Sequence, residues 1–513
     1  MVRGSLETTP ETLVGVLERT AAGSRDKVAA IAEDGTTRTY DELWTTAQRL
    51  VGGLDSLGAQ PGDRVCLLMA NQMEWIELFF ACAAGGFVCV PANPAWTASE
   101  MRYLFEHSQA RVVVCRADDL ATVRSASSDL GAPCSVVVVG DGAEGSESTY
   151  AELAESPAPS ARRHIDPEEP AMIVYTSGTT SGRPKGVVHS HRVVLDMGRA
   201  YGQVVEAQPD DRCLFVTPLF HLNAVGAFLG AFSVGASVVF QPQFSASRFW
   251  RMVDTYRPTY FFSMVTIVNI LLAQPPTPME RNHRMRAMLV LGSGNRAEEI
   301  EQRLGAKIID CYGMSEFPPG TYTRLDEPRR PGSAGRPFFD GSMRILREDG
   351  SETQPGEAGE VVFSLEHGFI EYFNDPEETA RTRRDGWFRT GDLGYFDEDG
   401  YFYFADRLKD IIRRGGENIS SIEVESVLRG HPGIADVAVV PRPDDVLGDR
   451  VAAIVVLADG VSAPTLEQLR QYAEGKLAEY KWPESLLVVD ELPRTPTGKI
   501  QKSPLRRLVL SGR

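Results

Sequence analysis

Tyr175-Thr-Ser-Gly-Thr-Thr-Ser-Gly-Arg-Pro-Lys-Gly186 follows the apolar run from Ala171 to Val174. An apolar run that gives way to hydroxyls and glycines reads as a strand emptying into a loop. Glycines such as Gly178 let the backbone approach an anion and adopt φ > 0. Thr176, Ser177, Thr179 and Thr180 supply hydroxyl donors, and Lys185 adds a point charge. Such a loop is a cradle for a polyphosphate. The spacing is not G-x-x-x-x-G-K-[ST], because Gly186 follows Lys185 where a magnesium-binding hydroxyl would stand, so a P-loop kinase or GTPase is disfavoured. A plain Ser/Gly-rich linker would lack the preceding strand and the Pro-Lys-Gly exit into Val187-Val188.

The surrounding chain is ordinary for a globular enzyme: 513 residues, 42% apolar and 24% charged, long enough for two or more domains. A net charge of −17 argues against nucleic acid or an anionic membrane as a main partner, since both call for a basic face. The polyphosphate is itself anionic, so a few cations must be held locally against the global field. Arginines outnumber lysines 45 to 8, and five of those lysines (Lys185, Lys409, Lys481, Lys499, Lys502) fall in or beside Gly/Pro-punctuated segments, where an ammonium and a guanidinium are not interchangeable. The seven cysteines are scattered without a C-x-x-C pair, which suggests neither a disulfide framework nor a zinc site and points to a reducing compartment, the cytoplasm. The N-terminal residues lack the apolar core of a signal peptide. Leu214 to Ser247 contains no Lys, Arg, Asp or Glu, but Pro218, Pro242 and its glycines fit buried strands and short helices better than a membrane span.

Along the chain, a helical pattern from Tyr40 to Leu57 precedes apolar strands at 65–69, 87–90 and 112–115, which predicts an α/β sheet. The segment from Ser125 to Arg163, rich in Ser, Ala, Gly and Glu, reads as a peripheral excursion or mobile loop. A second α/β stretch from Arg212 to Tyr312 carries strands at 214–217, 237–240 and 288–291. Short strands at 343–346, 360–363 and 401–404 between Gly and Asp residues read as a smaller β-rich subdomain. The last hundred residues form a compact α+β domain, with helices at 421–428 and 466–478 and strands at 434–440, 452–456 and 486–489.

Four further segments join the cradle: Asp310-Cys-Tyr-Gly-Met-Ser-Glu316, Gly386-Trp-Phe-Arg-Thr-Gly-Asp392, Arg407-Leu-Lys-Asp-Ile-Ile-Arg-Arg-Gly-Gly-Glu417 and Pro493-Arg-Thr-Pro-Thr-Gly-Lys499. The first offers an aromatic able to stack on a base and a carboxylate able to hold Mg2+. In this order and spacing the five segments resemble the ANL superfamily of adenylate-forming enzymes, and the resemblance covers nearly the whole chain. Within it the sequence looks most like the crotonobetaine/carnitine-CoA ligase branch of the acyl-CoA synthetases, through Ser247-Arg-Phe-Trp250, Gln274-Pro-Pro276 and Arg413-Arg-Gly-Gly-Glu-Asn-Ile-Ser420.

The resemblance implies an α/β fold with a large N-terminal domain, residues 1–405, of α/β sheets plus a β-rich subdomain. A small mobile α+β C-terminal domain, residues 406–513, follows, with Lys409 at the hinge. It implies an acid-thiol ligase that joins a carboxylic acid to ATP as acyl-AMP, assisted by Mg2+, and then to coenzyme A. Lys499 would bridge the carboxylate and the α-phosphate, Ser315 would touch the α-phosphate, and Glu316 would hold the metal. Thr176 to Thr180 and Lys185 would orient the β- and γ-phosphates. Tyr312 is the adenine platform, Ser293 and Gly294 the opposite wall, and Asp310 an acceptor for the exocyclic amine. Asp392 would grip the ribose hydroxyls beside Arg407, and Gly415 and Gly416 would face the pantetheine channel. Alone, Tyr312 reads as a core residue and Asp392 as a turn former; the five motifs together favour the functional reading. Ser315 stands where threonine is commoner and Lys502 where arginine is usual.

The acyl pocket would draw on His221, Asn223, Gly292 and Met314. It is mostly apolar, and no acidic residue besides Glu316 lies in its stretches, so a neutral bulky acid is expected rather than a quaternary ammonium acid such as carnitine. Alternatives are a stand-alone acyl-AMP ligase loading a carrier protein, a carnitine-type ligase, a luciferase-like monooxygenase and a non-catalytic nucleotide-binding scaffold. A homodimer is compatible with all of these.

Overall fold

The computed structural model of the chain describes residues 11–128, 130, 134–142, 147–176, 184–293, 296–407, 410–414, 417–444, 447–495 and 498–510. The chain divides into two compact units. Of the described residues, one comprises those within 11–176, 184–343 and 363–388, the other those within 344–362 and 389–510.

The first unit contains two large sheets. In the eight-stranded sheet the order is Glu371–Tyr372, Lys185–Ser190, Pro170–Thr176, Val88–Ala92, Arg64–Leu68, Ala110–Arg116, Ser135–Val139 and Ser148–Thr149. Its inner strands pair in parallel and are apolar with no alternation, as expected where helices cover both faces. The seven-stranded sheet runs Lys307–Ile309, Ala287–Leu291, Tyr260–Met264, Arg212–Phe215, Ser237–Phe240, Val28–Ala32 and Thr37–Thr39. A three-stranded sheet of Cys311–Met314, Phe317–Tyr322 and Arg336–Pro337 follows.

The segment without charges resolves into the strands Arg212–Phe215 and Ser237–Phe240 and, between them, the helix Leu222–Ser233, buried on nearly every side. Phe228 and Phe232 of this helix pack on Trp75, Phe79 and Phe80 of the helix Met73–Gly85, with Phe80 and Phe232 stacked at 5.7 Å. Its other neighbour, His191–Val204, comes so close that a Cβ at Gly230 would lie 2.9 Å from the Gly198 carbonyl oxygen, and one at Gly198 would lie 2.5 Å from Leu229 Cβ. Those glycines are required by backbone approach. Among the described residues no helix is long and apolar enough to cross a membrane.

A smaller sheet is ordered Met343–Leu346, Gly359–Ser364, Trp387–Phe396 and Arg383–Arg384, with Phe402–Arg407 also paired to Trp387–Phe396. In the second unit the C-terminal sheet runs Glu417–Ile419, Ile412–Arg414, Gly448–Leu457 and Ile434–Asp444, and Ser485–Val488 adds in parallel to Gly448–Leu457. The helices Ser421–Leu428 and Leu466–Ala473 cover it through Val424, Leu428, Leu469 and Ala473. The mixed α/β class with a smaller α+β C-terminal part agrees with expectation.

Two expectations need correcting. The stretch from Ser125 to Arg163 is not an excursion in its described parts. Ser135–Val139 is a strand in parallel register with Ala110–Arg116, and the helix Tyr150–Ala154 opens on a capping box of Thr149 and Glu152. The β-branched run of Val136 to Val139 outweighs the polar composition around it. The helix expected over 466–478 ends at Ala473, and Glu474 turns to β-like dihedrals just before Gly475 at φ +73°.

Candidate active site

The cradle opens where Pro170–Thr176 ends and closes where Lys185–Ser190 begins. These strands are antiparallel, with Thr176 opposite Lys185 and Tyr175 opposite Gly186. Both ends are anchored by side chains: the Tyr103 hydroxyl donates to the Pro184 carbonyl at 2.9 Å, and His107 Nδ1 lies 2.8 Å from the Tyr175 hydroxyl. A Cβ at Gly186 would meet Ile173 at 2.9 Å and the Tyr175 ring at 3.2 Å, so the Lys-Gly pair is set by packing as well as by the loop. Of the cradle residues, Ser177, Gly178, Thr179 and Thr180 lie outside the described residues, as do Gly294, Lys409, Gly415 and Gly416.

Lys185 forms an ion pair with Glu378, and its ammonium lies 5.3 Å from the centroid of the Tyr372 ring. Arg381 also holds Glu378, through two bonds of 2.6 Å. The Glu378 carboxyl is depressed to about 2, first by Arg381 and then by Lys185, against the cost of burial. Tyr372 donates its hydroxyl to Glu316 Oε1 at 2.7 Å, and both side chains are buried. Burial and the two carboxylates Glu316 and Glu378 raise the phenol's pKa, so it stays protonated and acts as a donor. Glu316 therefore presents an oriented carboxylate, a hard oxygen ligand that suits Mg2+, which binds through one or two carboxylates plus substrate phosphates. Behind the adjacent Ser315 sits His189, fully buried and pushed down to about 4 by loss of solvation, with the Ser315 backbone opposing; it is neutral at pH 7.

Tyr312 is half-buried on the strand Cys311–Met314, and one face of its ring stacks on Phe363 at 6.1 Å and 17°. Phe317 stacks on the same Phe363 at 4.8 Å, which fixes the platform. Asp310, 4% exposed, accepts from Ser293 Oγ at 2.6 Å, from the Gly292 amide at 3.2 Å and from the Cys311 amide at 2.9 Å. It thus fixes the turn in which Gly292 adopts φ +80°. The tie between Asp310 and Ser293 draws expected adenine-site residues into one cluster. Of the residues expected at the acyl pocket, His221 precedes the helix Leu222–Ser233 with its ring 4.6 Å from that of Phe220. Both polar atoms of the Asn223 side chain are buried without a hydrogen-bond partner among the described residues. Met314 is half-buried at the end of its strand.

In the second unit Asp392 stands opposite Arg407 across paired strands, and Arg407 Nε lies 3.2 Å from Asp392 Oδ1. The Asp392 amide donates to Thr390 Oγ1 at 3.0 Å, and the Thr390 hydroxyl donates to the Val361 carbonyl at 2.7 Å, so the Thr-Gly-Asp turn is rigidly held. Lys499 sits on a tight turn: its amide donates to Thr495 Oγ1 at 3.1 Å, and Gly498 adopts φ +81°. The side chain keeps access to solvent, yet the protein around it lowers its pKa. Arg407 lowers it further, and Asp392 works in the opposite direction. Lys499, Arg407 and Asp392 therefore lie within electrostatic reach of one another.

Sequence reasoning passed over Tyr372 and Glu378. Their signal lay in Asn374-Asp-Pro-Glu-Glu378, a helix start with Asp375 as N-cap, Pro376 in the first turn and two acids behind it. That pattern predicts a capped helix but says nothing of the strand Glu371–Tyr372 laid against Lys185–Ser190.

The first unit carries an aromatic ring, Tyr312, and an oriented carboxylate, Glu316, beside the ends of the cradle strands, and the second unit by itself carries a lysine, Lys499, beside an acid–arginine pair. The sequence profile of the AMP-binding enzyme family matches residues 17–373, and that of the AMP-binding enzyme C-terminal domain matches residues 423–499. The chain belongs to this family and is an adenylate-forming acyl-CoA synthetase of the ANL superfamily. The long-chain-fatty-acid–CoA ligase FadD13 of Mycobacterium tuberculosis is 33% identical over 500 residues, covering 96% of this chain and 98% of FadD13. A crotonobetaine/carnitine–CoA ligase of Salmonella agona is 33% identical over 498 residues, covering 94% of this chain and 96% of that protein. Among solved structures, the anthranilate CoA ligase AuaEII in complex with anthranoyl-AMP superposes with a TM-score of 0.88 at 27% identity, covering 98% of this chain and 97% of that one.

Proposed function

We propose that the protein condenses a carboxylic acid with ATP to give an acyl-adenylate and pyrophosphate, and then transfers the acyl group to the thiol of coenzyme A with release of AMP. The observation that carries this reading is the grouping of Lys499 with Asp392 and Arg407, drawn from motifs far apart in the sequence. When the substrate carboxylate attacks the α-phosphorus, two anions converge and negative charge gathers on oxygen. A cation at about 4 Å in an effective dielectric near 20 offsets roughly 4 kcal/mol of that repulsion, about three orders of magnitude in rate. Lys499 is assigned this task. Asp392 holds the ribose hydroxyls, Tyr312 carries the adenine, and Ser293, Gly294 and Asp310 complete its pocket. Thr176 to Thr180, Lys185 and Ser315 receive the phosphates. Glu316 would hold Mg2+, which when bound neutralises phosphate charge.

The second step requires Lys499 to leave and the acyl-adenylate to face the thiol. We assign that change to rotation of residues 406–513 against 1–405 about Lys409, with Gly415 and Gly416 lining the path of pantetheine. For the acid, the mostly apolar sequence stretches that contain His221, Asn223, Gly292 and Met314 favour a neutral bulky molecule. The likeness to AuaEII supports an aromatic acid and that to FadD13 a long aliphatic one. A carnitine-type acid is the second reading, favoured by the Salmonella relative. A carrier protein as acceptor and a homodimeric assembly are compatible with the same chemistry, and a cytoplasmic location accords with seven free cysteines.

The test is product analysis over a panel of carboxylic acids with and without coenzyme A. AMP, pyrophosphate and a thioester are expected, with neutral acids larger than butyrate preferred over crotonobetaine in kcat/KM. ADP and phosphate as products would overturn the reaction, and a preference for crotonobetaine over every neutral acid would overturn the substrate class.

A further inference from the structure

The Tyr372 hydroxyl reaches Glu316 at 2.7 Å while the ring of the same residue lies under the ammonium of Lys185, 5.3 Å from its centroid. Lys185 is in turn paired with Glu378, and Glu378 with Arg381. Cation, anion, cation, phenol and anion thus follow in one line from Arg381 to Glu316. It joins the base of the phosphate cradle to the carboxylate assigned to the metal.

The ring is held firmly. Glu371–Tyr372 pairs with Lys185–Ser190, placing Tyr372 opposite Val187, and the Tyr372 amide donates to Thr379 Oγ1 at 2.9 Å. Phe369 packs on it at 4.9 Å.

We propose that Tyr372 is a positioning residue for Glu316: its hydroxyl holds Oε1 and so fixes how the carboxylate meets a divalent cation delivered with ATP. The inference rests on the assignment of Glu316 to the metal. A carboxylate free to rotate would spend much of its time turned away, and loss of the group behind a metal-binding carboxylate typically weakens metal binding about 10- to 100-fold. Lys185 contributes by lying on the ring face, where Glu378 keeps it until phosphate arrives. Arg381 then remains to pair with Glu378, so Lys185 can exchange partners without leaving a carboxylate uncompensated.

The experiment uses the full chain without any acid, so that ATP binds but does not react, and follows binding by intrinsic tryptophan fluorescence while Mg2+ is titrated. Tyr372→Phe removes only the hydroxyl and keeps the ring. It is expected to raise the half-saturating Mg2+ concentration about tenfold or more, while ATP affinity in EDTA and the melting temperature stay close to those of the unchanged protein. Glu316→Gln is run beside it. If Glu316→Gln leaves the Mg2+ dependence unchanged, the metal assignment fails and the inference with it. If Glu316→Gln abolishes that dependence but Tyr372→Phe leaves it unmoved, only the positioning role fails. Equal weakening of ATP binding with and without Mg2+ in Tyr372→Phe would also overturn it. Should Tyr372→Phe fold poorly, tyrosines of graded fluorination at position 372 retain the hydroxyl; half-saturation by Mg2+ should then track phenol acidity, and no trend would count against the proposal.

Discussion

Lys499 combines two properties that pull apart. The form that the proposed function requires is the ammonium, yet burial and the charge of Arg407 favour the neutral amine, with Asp392 as counterweight. The sign follows: the active protonated form prevails at low pH and is lost as pH rises through a pKa below the usual 10.5. Adenylation should therefore show an alkaline limb falling below that value. In Lys499→Arg, whose guanidinium stays charged, the limb should move to higher pH even where the overall rate drops. A pH profile of acid-dependent ATP–pyrophosphate exchange checks this, and an unmoved limb would assign the titration to another group. Asp310 shows why a residue's role cannot be read from its type alone. It was legible as an acceptor, but its bonds to Gly292 and Ser293 come from a strand elsewhere in the sequence, and only the fold brings them together.

At the scale of elements, the approach of His191–Val204 to Leu222–Ser233 leaves no room for a side chain between them. Gly230→Ala should cost about 1–3 kcal/mol through overpacking and lower the urea midpoint of unfolding. Gly23→Ala, where nothing lies within 4 Å, should leave the midpoint nearly unchanged. Equal midpoints for the two variants would refute the close-packing account. Elements such as Ser237–Phe240, Met343–Leu346 and Ser421–Leu428 were legible to the residue because apolar or β-branched runs there meet turn or capping residues at both ends. Ser135–Val139 was missed because Ser-, Gly- and Glu-rich text surrounds a single short valine run. Tyr372 was missed for a different reason. Its hydrogen bond to Glu316 depends on a two-residue strand joining an edge laid down far earlier in the chain, and no local pattern encodes that pairing.

For the whole molecule, a chain of net charge −17 that takes a polyanion would have to concentrate a few cations locally, and the proposed function assigns two of those places to Lys185 and Lys499, lysines in an arginine-rich composition. The central claim is that Lys499 acts while carboxylate meets α-phosphate and is dispensable once the adenylate exists. The most direct measurement takes Lys499→Ala through both half-reactions separately. Acid-dependent pyrophosphate release should fall by about three orders of magnitude. Thioester formation from supplied acyl-adenylate and coenzyme A should stay within about tenfold of the unchanged enzyme, an allowance of roughly 1.4 kcal/mol for altered binding. Loss of both half-reactions to the same extent would contradict the account and make Lys499 a structural residue or one that serves both steps.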